Sequence, residues 1–122
     1  MRRLLAVIAC LFAAAPAAAQ SLDTGQVLGN EEGCEQLRAG HSISDHWFLL
    51  RPDSPEGAIV ACTFTEVSRA ADGTDVVTGL CSNEGEEDLQ ARRFVVAPDP
   101  EDGKARLVFE DGDLWDRFAA CE

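Results

Sequence analysis

Residues 58–87 read AIVACTFTEVSRAADGTDVVTGLCSNEGEE, with one cysteine on either side of a turn signal, and this pattern predicts a β-hairpin. A reversal centred between Ala71 and Asp72 places Cys62 directly opposite Cys81. Directly opposed Cα atoms on antiparallel strands lie about 4.5–5.5 Å apart. A disulfide tolerates that separation.

The predicted register also sets the neighbours of the cysteine pair. It places Phe64 across from Gly79, where the ring can shield the sheet backbone, and Glu66 across from Val77. Neither face of the first strand is cleanly polar, which is typical of a sheet covered on both sides or of a small barrel. The two faces are Ile59, Ala61, Thr63, Thr65 and Val67, and Val60, Cys62, Phe64 and Glu66.

The first nineteen residues have the pattern of a secretory signal peptide. Arg2 and Arg3 form a positive start, residues 4–15 are apolar, and Ala17–Ala19 is a small-residue cleavage site. The alternative, a membrane anchor, is disfavoured because nothing apolar continues past the cleavage site. We therefore predict cleavage after Ala19, a periplasmic or secreted location, and a single exported β-rich domain over residues 20–122, with no further membrane association.

Cleavage also removes Cys10 and leaves four cysteines, an even number that predicts two disulfides in an exported chain. Four cysteines allow three connectivities, and the sequence alone does not choose among them. The hairpin register favours one bridge within the hairpin and a second between the two remaining residues. The predicted disulfide residues are Cys62, Cys81, Cys34 and Cys121.

The mature domain is strongly acidic. The chain has 22 acidic and 10 basic residues, and because Arg2 and Arg3 lie in the signal peptide, the mature formal charge is −14. We expect no nucleic-acid partner, since that binding depends on clustered Lys and Arg. The doublet Arg92-Arg93 does not form such a cluster, because strand alternation sends the two side chains to opposite faces and favours pairing with local carboxylates.

A short helix is predicted over residues 30–40. Asn30 is a good N-cap, Gly40 can take the left-handed C′ position, and Gly33 inside the helix costs about 1 kcal/mol relative to alanine. Further strands are predicted over residues 47–50, 89–97 and 104–110, with a turn over residues 54–57.

The C-terminal stretch from Leu114 to Cys121 is compatible with a strand or with a helix. Because Asp111-Gly112 is a strong hairpin signal, we favour the strand. The predicted fold is therefore mainly β: a small antiparallel meander of five or six strands, curled or barrel-like, with one short N-terminal helix and disulfide staples. A two-layer α+β arrangement is the alternative.

Candidate catalytic chemistry is confined to His41, Asp45 and His46. Zinc needs three or four ligands, and the chain contains two histidines in all. The nearby Ser42 and Ser44 lie in no nucleophile-elbow motif. We therefore predict no catalytic residue, metal or cofactor and no enzymatic activity, and keep a weak metal-dependent or hydrolytic enzyme at these three residues as the alternative.

Candidate binding residues are acidic and fall in predicted loops, where binding residues are often placed. No cluster matches the EF-hand spacing, although low-affinity calcium at residues 99–102 stays open. If the loops share one end of the sheet, they form a negative rim, beside which an exposed Trp47 would add to a binding surface. The acidic residues are Glu84, Glu86, Glu87 and Asp88; Asp99, Glu101 and Asp102; and Glu110, Asp111 and Asp113.

In size, export, cysteine use and charge, the chain resembles the small exported lysozyme inhibitors of bacteria, which are stapled β-barrels that act on strongly basic enzymes. No segment matches their inhibitory loop motifs, so no site residue carries over. The function we predict is a non-enzymatic binding or inhibitory module whose partner is a basic protein of the cell envelope or of a host.

Overall fold

The computed structural model describes residues 21–84 and 86–121, so the predicted signal peptide lies outside the described residues. Eight antiparallel strands close into a barrel, and one nine-residue helix follows the first strand. The mainly β prediction is confirmed. The described residues form eight strands where five or six were predicted, because residues 28–29 and 54–57 were not predicted as strands. The strands are β1 Leu28–Gly29, β2 Phe48–Arg51, β3 Ser54–Gly57, β4 Val60–Arg69, β5 Asp75–Asn83, β6 Gln90–Pro98, β7 Arg106–Glu110 and β8 Asp113–Ala120, and the helix is α1 Glu31–Ala39.

Each strand pairs with the next one along the chain, and β8 returns to β1, where Leu28 lies opposite Ala120. The prediction of a turn over residues 54–57 is wrong, because this segment is strand β3 and pairs with β2. The reversal consists of Pro52 and Asp53, two residues earlier, and Pro55 lies opposite Leu50. The sequence therefore correctly indicated a turn in this region, but the turn lies two residues nearer the N-terminus than predicted.

The central hairpin has the predicted register at its base and a different one near its tip. Cys62 lies opposite Cys81 and Phe64 opposite Gly79, as predicted. A β-bulge after Phe64 then shifts the pairing, so that the predicted pair of Glu66 with Val77 is wrong. The structure instead pairs Glu66 with Thr78 and Val67 with Val77.

The bulge compensates for the length of the hairpin loop. Arg69 and Asp75 close a loop of five residues, in which the N–H of Ala70 donates to the carbonyl of Thr74 at 2.8 Å. One extra residue in β4 restores the register at the cysteines. The bulge also turns Val67 inward, where it is 2% exposed and extends the buried face of β4.

The barrel interior is filled by one apolar cluster to which most strands contribute. Its members come from the inward positions of the strands and from Leu22, whose N–H donates to the carbonyl of Pro52 at 2.6 Å. The cluster contains Leu22, Leu28, Leu50, Val60, Cys62, Phe64, Val67, Val77, Cys81, Phe94, Val96, Val108 and Phe118.

Two disulfides cross-link the chain, one between residues that are close in sequence and one between residues near the two ends of the domain. Cys62–Cys81 joins β4 to β5 with Cα atoms 4.0 Å apart, and Cys34–Cys121 joins α1 to the residue after β8 across 87 positions. Chain entropy assigns about 3 kcal/mol to the short loop and about 4.6 kcal/mol to the long one. Disulfides fit an extracellular or periplasmic protein.

Helix α1 begins and ends at the predicted residues. Asn30 accepts a hydrogen bond from the N–H of Gly33 at 2.7 Å, and Gly40 adopts the left-handed conformation with φ 77°. A β-carbon on Gly33 would lie 1.9 Å from the carbonyl oxygen of Phe48. The glycine that weakens the isolated helix therefore allows the helix to dock on β2.

The C-terminal stretch is strand β8, which confirms the favoured alternative. Asp111 and Gly112 both have positive φ, 52° and 84°, as a tight hairpin turn requires. Within the described ranges, no helix has both the length and the apolar character needed to cross a bilayer.

Candidate functional site

The predicted acidic clusters divide between the two ends of the barrel. Residues 84, 86–88 and 110–113 lie at the end that carries α1, which we call the helix end. Residues 99–102 lie at the opposite end, beside the loop over residues 70–74. A single negative rim formed by all three clusters is therefore wrong, because consecutive strands of a meander alternate in direction.

The cluster at the opposite end is partly neutralised by Arg117, which pairs with Asp99 and Asp102. Asp99 is 8% exposed, and its Oδ2 accepts a 2.6 Å hydrogen bond from Nε of Arg117. Its Oδ1 accepts from the N–H of Glu101 at 2.9 Å. Arg117, together with this N–H, holds the pKa of the Asp99 carboxyl below its usual range, and Asp99 raises the pKa of Arg117. Asp99 thus fixes the β6–β7 loop and is not available to a partner.

Asp99→Asn should destabilise the protein in a pH-dependent way. A folded pKa below the unfolded value contributes stability that is complete above about pH 4 and is lost as the pH falls through the folded value. The difference in melting temperature between wild type and variant should therefore be constant from pH 5 to 8 and shrink below about pH 4. Asp23→Asn, at an exposed position, is the control, and a difference that persists unchanged to pH 2 would contradict this assignment.

One carboxylate of the cluster at the β7–β8 turn is also held in an ion pair. Arg92 donates two hydrogen bonds to Glu110, both at 2.6 Å, which confirms the predicted pairing with a carboxylate for the first arginine of the doublet. The Glu110 carboxylate raises the pKa of Arg92. The guanidinium carbon lies 5.2 Å from the ring centre of Phe94 and 6.0 Å from that of Trp115. This ion pair therefore covers aromatic side chains of the barrel interior.

The β5–β6 loop differs from both other clusters. Glu84, Glu86, Glu87 and Asp88 are all exposed, and none forms an ion pair with another described residue. Three hydrogen bonds among the described residues shape the loop. The N–H of Glu84 donates to the Ile59 carbonyl at 2.9 Å, that of Glu86 donates to the Asn83 carbonyl at 3.0 Å, and Nδ2 of Asn83 donates to the Glu86 carboxylate at 3.5 Å. The four carboxylates therefore face solvent without a cationic partner among the described residues.

An apolar groove lies on the outer face of the central hairpin, next to this loop. Its larger recess, about 300 Å³, lies between Leu80 and Leu89 over a floor of small residues. Its smaller recess, about 180 Å³, lies beside Ile59 and is bordered by Glu84. We call the two recesses together the hairpin groove. They share Ala61 and Ser82, which pair across the strands.

Sequence reasoning missed the hairpin groove. Alternation along β4 groups Ile59 with Ala61 and Thr63 on one face, which was a usable signal. Nothing in the sequence showed that Leu89, which follows the acidic loop, would lie over the same surface. In the structure, the exposed fractions are 47% for Ile59, 41% for Leu80 and 62% for Leu89.

A more polar basin of about 390 Å³ lies at the helix end, lined by residues that include Glu32, His46 and Phe48. Asn30 organises it through four hydrogen bonds. Its Oδ1 accepts from the N–H groups of Gly33 and Phe48, and its Nδ2 donates to the His46 carbonyl at 2.8 Å and to Asp116 at 2.9 Å. These contacts join α1 to β2 and β8, and they give the basin a structural role.

The remaining predicted residues are not assembled into a site. Trp47 is 6% exposed and donates from Nε1 to Ser42, so its ring is not part of the exposed surface. His41 contacts the carbonyl of Ala39, and Asp45 and His46 are exposed. Across residues 21–84 and 86–121, no group of three or more His, Cys, Asp or Glu side chains could hold a metal ion.

Comparison with known proteins gives no family. No family model matches the chain, and neither the curated proteins nor the solved structures contain a match.

Proposed function

We propose that this protein is an exported, non-enzymatic binding module that captures a basic protein of the cell envelope or of a host through the β5–β6 loop. The observation that supports this proposal most directly is the loop itself. Its four carboxylates have no ion-pair partner among the described residues, whereas Asp99 and Glu110 are held by arginines. Charge that is left uncompensated in one place favours an interaction there.

The net charge supports the same proposal. A mature formal charge of −14 attracts a cationic protein over a distance of about one Debye length, roughly 8–10 Å at physiological salt. Such attraction raises the association rate and weakens as the salt concentration increases. If the captured protein is an enzyme whose active site lies under the covered surface, the module inhibits it, as the resemblance to lysozyme inhibitors implies.

A pull-down from periplasmic and host extracts tests the proposal. The immobilised protein should retain basic proteins at low ionic strength and release them at about 0.5 M salt, where the Debye length falls to a few ångströms. The His41→Ala/His46→Ala variant should retain the same proteins, because the binding surface does not include these residues. Failure to retain any basic protein at low salt would overturn the proposal.

A charge-matched pair of variants locates the surface. Glu84→Gln/Glu87→Gln/Asp88→Asn should weaken retention about tenfold, because screened interactions with three carboxylates are lost. The control removes three exposed charges elsewhere and should change retention about twofold or less. It consists of Asp23→Asn, Glu35→Gln and Glu101→Gln. Equal losses from the two variants would mean that net charge, and not the loop, is responsible.

A further inference from the structure

We infer that the hairpin groove binds a short basic, amphipathic peptide segment of the partner, with one apolar side chain in each recess and a lysine or arginine facing the β5–β6 loop. This inference rests on the proposed function and specifies what the partner must present.

The shape of the groove supports two apolar side chains. The cross-strand pair Ala61 and Ser82 forms a low floor, and the larger side chains of Ile59, Leu80 and Leu89 rise beside it. Recesses of about 300 and 180 Å³ lie at and below the lower limit of typical small-molecule sites and suit individual side chains. Because they share their floor, neighbouring side chains of one segment can occupy both.

Exposure of these side chains gives the groove a driving force. Ile59, Leu80 and Leu89 are between 41% and 62% exposed, so a partner that covers them removes apolar surface from water. These side chains cannot turn into the barrel interior, because core residues that include Cys62 and Cys81 already occupy the inward-facing positions of β4 and β5.

The negative charge beside the hairpin groove indicates which kind of segment binds there. Glu84 borders the smaller recess, and Leu89, at the rim of the larger recess, directly follows Asp88 in the chain. An apolar group entering the groove therefore comes close to uncompensated carboxylates, which favours a segment that also carries Lys or Arg. A second copy of this chain is disfavoured as the occupant, because two molecules with a formal charge of −12 over the full sequence repel one another.

Two synthetic peptides of equal charge test the inference. One alternates leucine and lysine over ten residues, and the other replaces every leucine by serine. Binding to the protein is measured by fluorescence anisotropy at 50 and 300 mM salt. We expect the leucine peptide to bind at least about tenfold more tightly than the serine peptide, because only its side chains fill the recesses.

Variants in two exposed leucines provide the matched comparison. Leu89→Ser should weaken binding of the leucine peptide about fivefold, whereas Leu114→Ser, at a leucine that is 56% exposed but lies outside the groove, should leave it unchanged. Ala61→Phe, at an exposed position that forms the shared floor, should block both recesses and lower binding further.

The outcomes separate the two proposals. Equal affinity for the two peptides, or equal losses from Leu89→Ser and Leu114→Ser, would overturn the groove inference, and so would failure of the leucine peptide to bind a protein that retains basic partners in the pull-down. In each of these cases capture by the acidic loop would still stand. Loss of basic-protein capture with leucine-peptide binding intact would overturn the proposed function alone.

Discussion

Replacing Gly33 by alanine is expected to lower the free energy of unfolding by about 3 kcal/mol or more. The new β-carbon would lie 1.9 Å from the carbonyl oxygen and 2.7 Å from the carbonyl carbon of Phe48. That peptide group is held in place, because its oxygen accepts from the N–H of Asn30 and the N–H of the same residue donates to the Asn30 side chain. Relief of the clash therefore requires α1 to move away from β2. Urea unfolding with the disulfides intact measures the loss.

The sign of the change in unfolding free energy shows whether packing or helix propensity dominates at Gly33. Propensity alone predicts that Gly33→Ala stabilises the helix by about 1 kcal/mol. Gly103→Ala is the matched control, because no atom lies within 4 Å of the added carbon and the backbone does not adopt a left-handed conformation there. The control should be neutral or slightly stabilising. If Gly33→Ala proves as stable as wild type, the close packing of α1 on Phe48 is wrong.

Asn30→Asp is expected to cost about 2–3 kcal/mol although it changes a single side-chain nitrogen to oxygen. The carboxylate keeps both acceptor contacts and suits a helix N-terminus. It loses both donor contacts, however, and places negative charge against the carboxylate of Asp116 and the carbonyl of His46, which now lie 2.9 and 2.8 Å from the amide nitrogen. Thermal and urea unfolding would measure the change.

A double substitution tests the cause. In Asn30→Asp/Asp116→Asn the new amide can donate to the new carboxylate, so the variant should recover part of the lost stability. Recovery should be incomplete, because the His46 carbonyl is still without its donor. With Asp116→Asn as the second single variant, the three unfolding free energies give the coupling energy of the pair, and a coupling energy near zero would show that the contact with Asp116 contributes little.

Local rules were sufficient for much of the fold. The turn, the opposed cysteines and the glycine opposite Phe64 all lie within one hairpin, and the caps at Asn30 and Gly40 act within a few residues. The bulge after Phe64 was not predictable in this way, because it depends on a loop length that the sequence leaves open by one residue. Strand β3 was missed for a related reason: its Ser, Pro and Gly signal a turn, and its pairing with β2 outweighs that preference.

The acidic loop could be predicted to be exposed, but its difference from the other acidic clusters could not. Asp99 meets Arg117 and Glu110 meets Arg92 across 18 positions of sequence each, so these pairs become visible only when the strands are in register. The same is true of the hairpin groove, because Leu89 reaches Leu80 and Ala61 through the pairing of three strands. Composition gives the number of charged and apolar residues, whereas the strand register determines which of them remain exposed and unpaired.

The disulfide between Cys34 and Cys121 determines what happens to the protein after proteolytic cleavage. A single cut at any peptide bond between these residues leaves the two fragments covalently joined, and a cut in the loop over residues 70–74 leaves them joined by both disulfides. Exposed loop tips, such as the acidic β5–β6 loop, are the usual sites of nicking. A clipped molecule would therefore persist as one two-chain unit, and cleavage would become visible on a gel only after reduction.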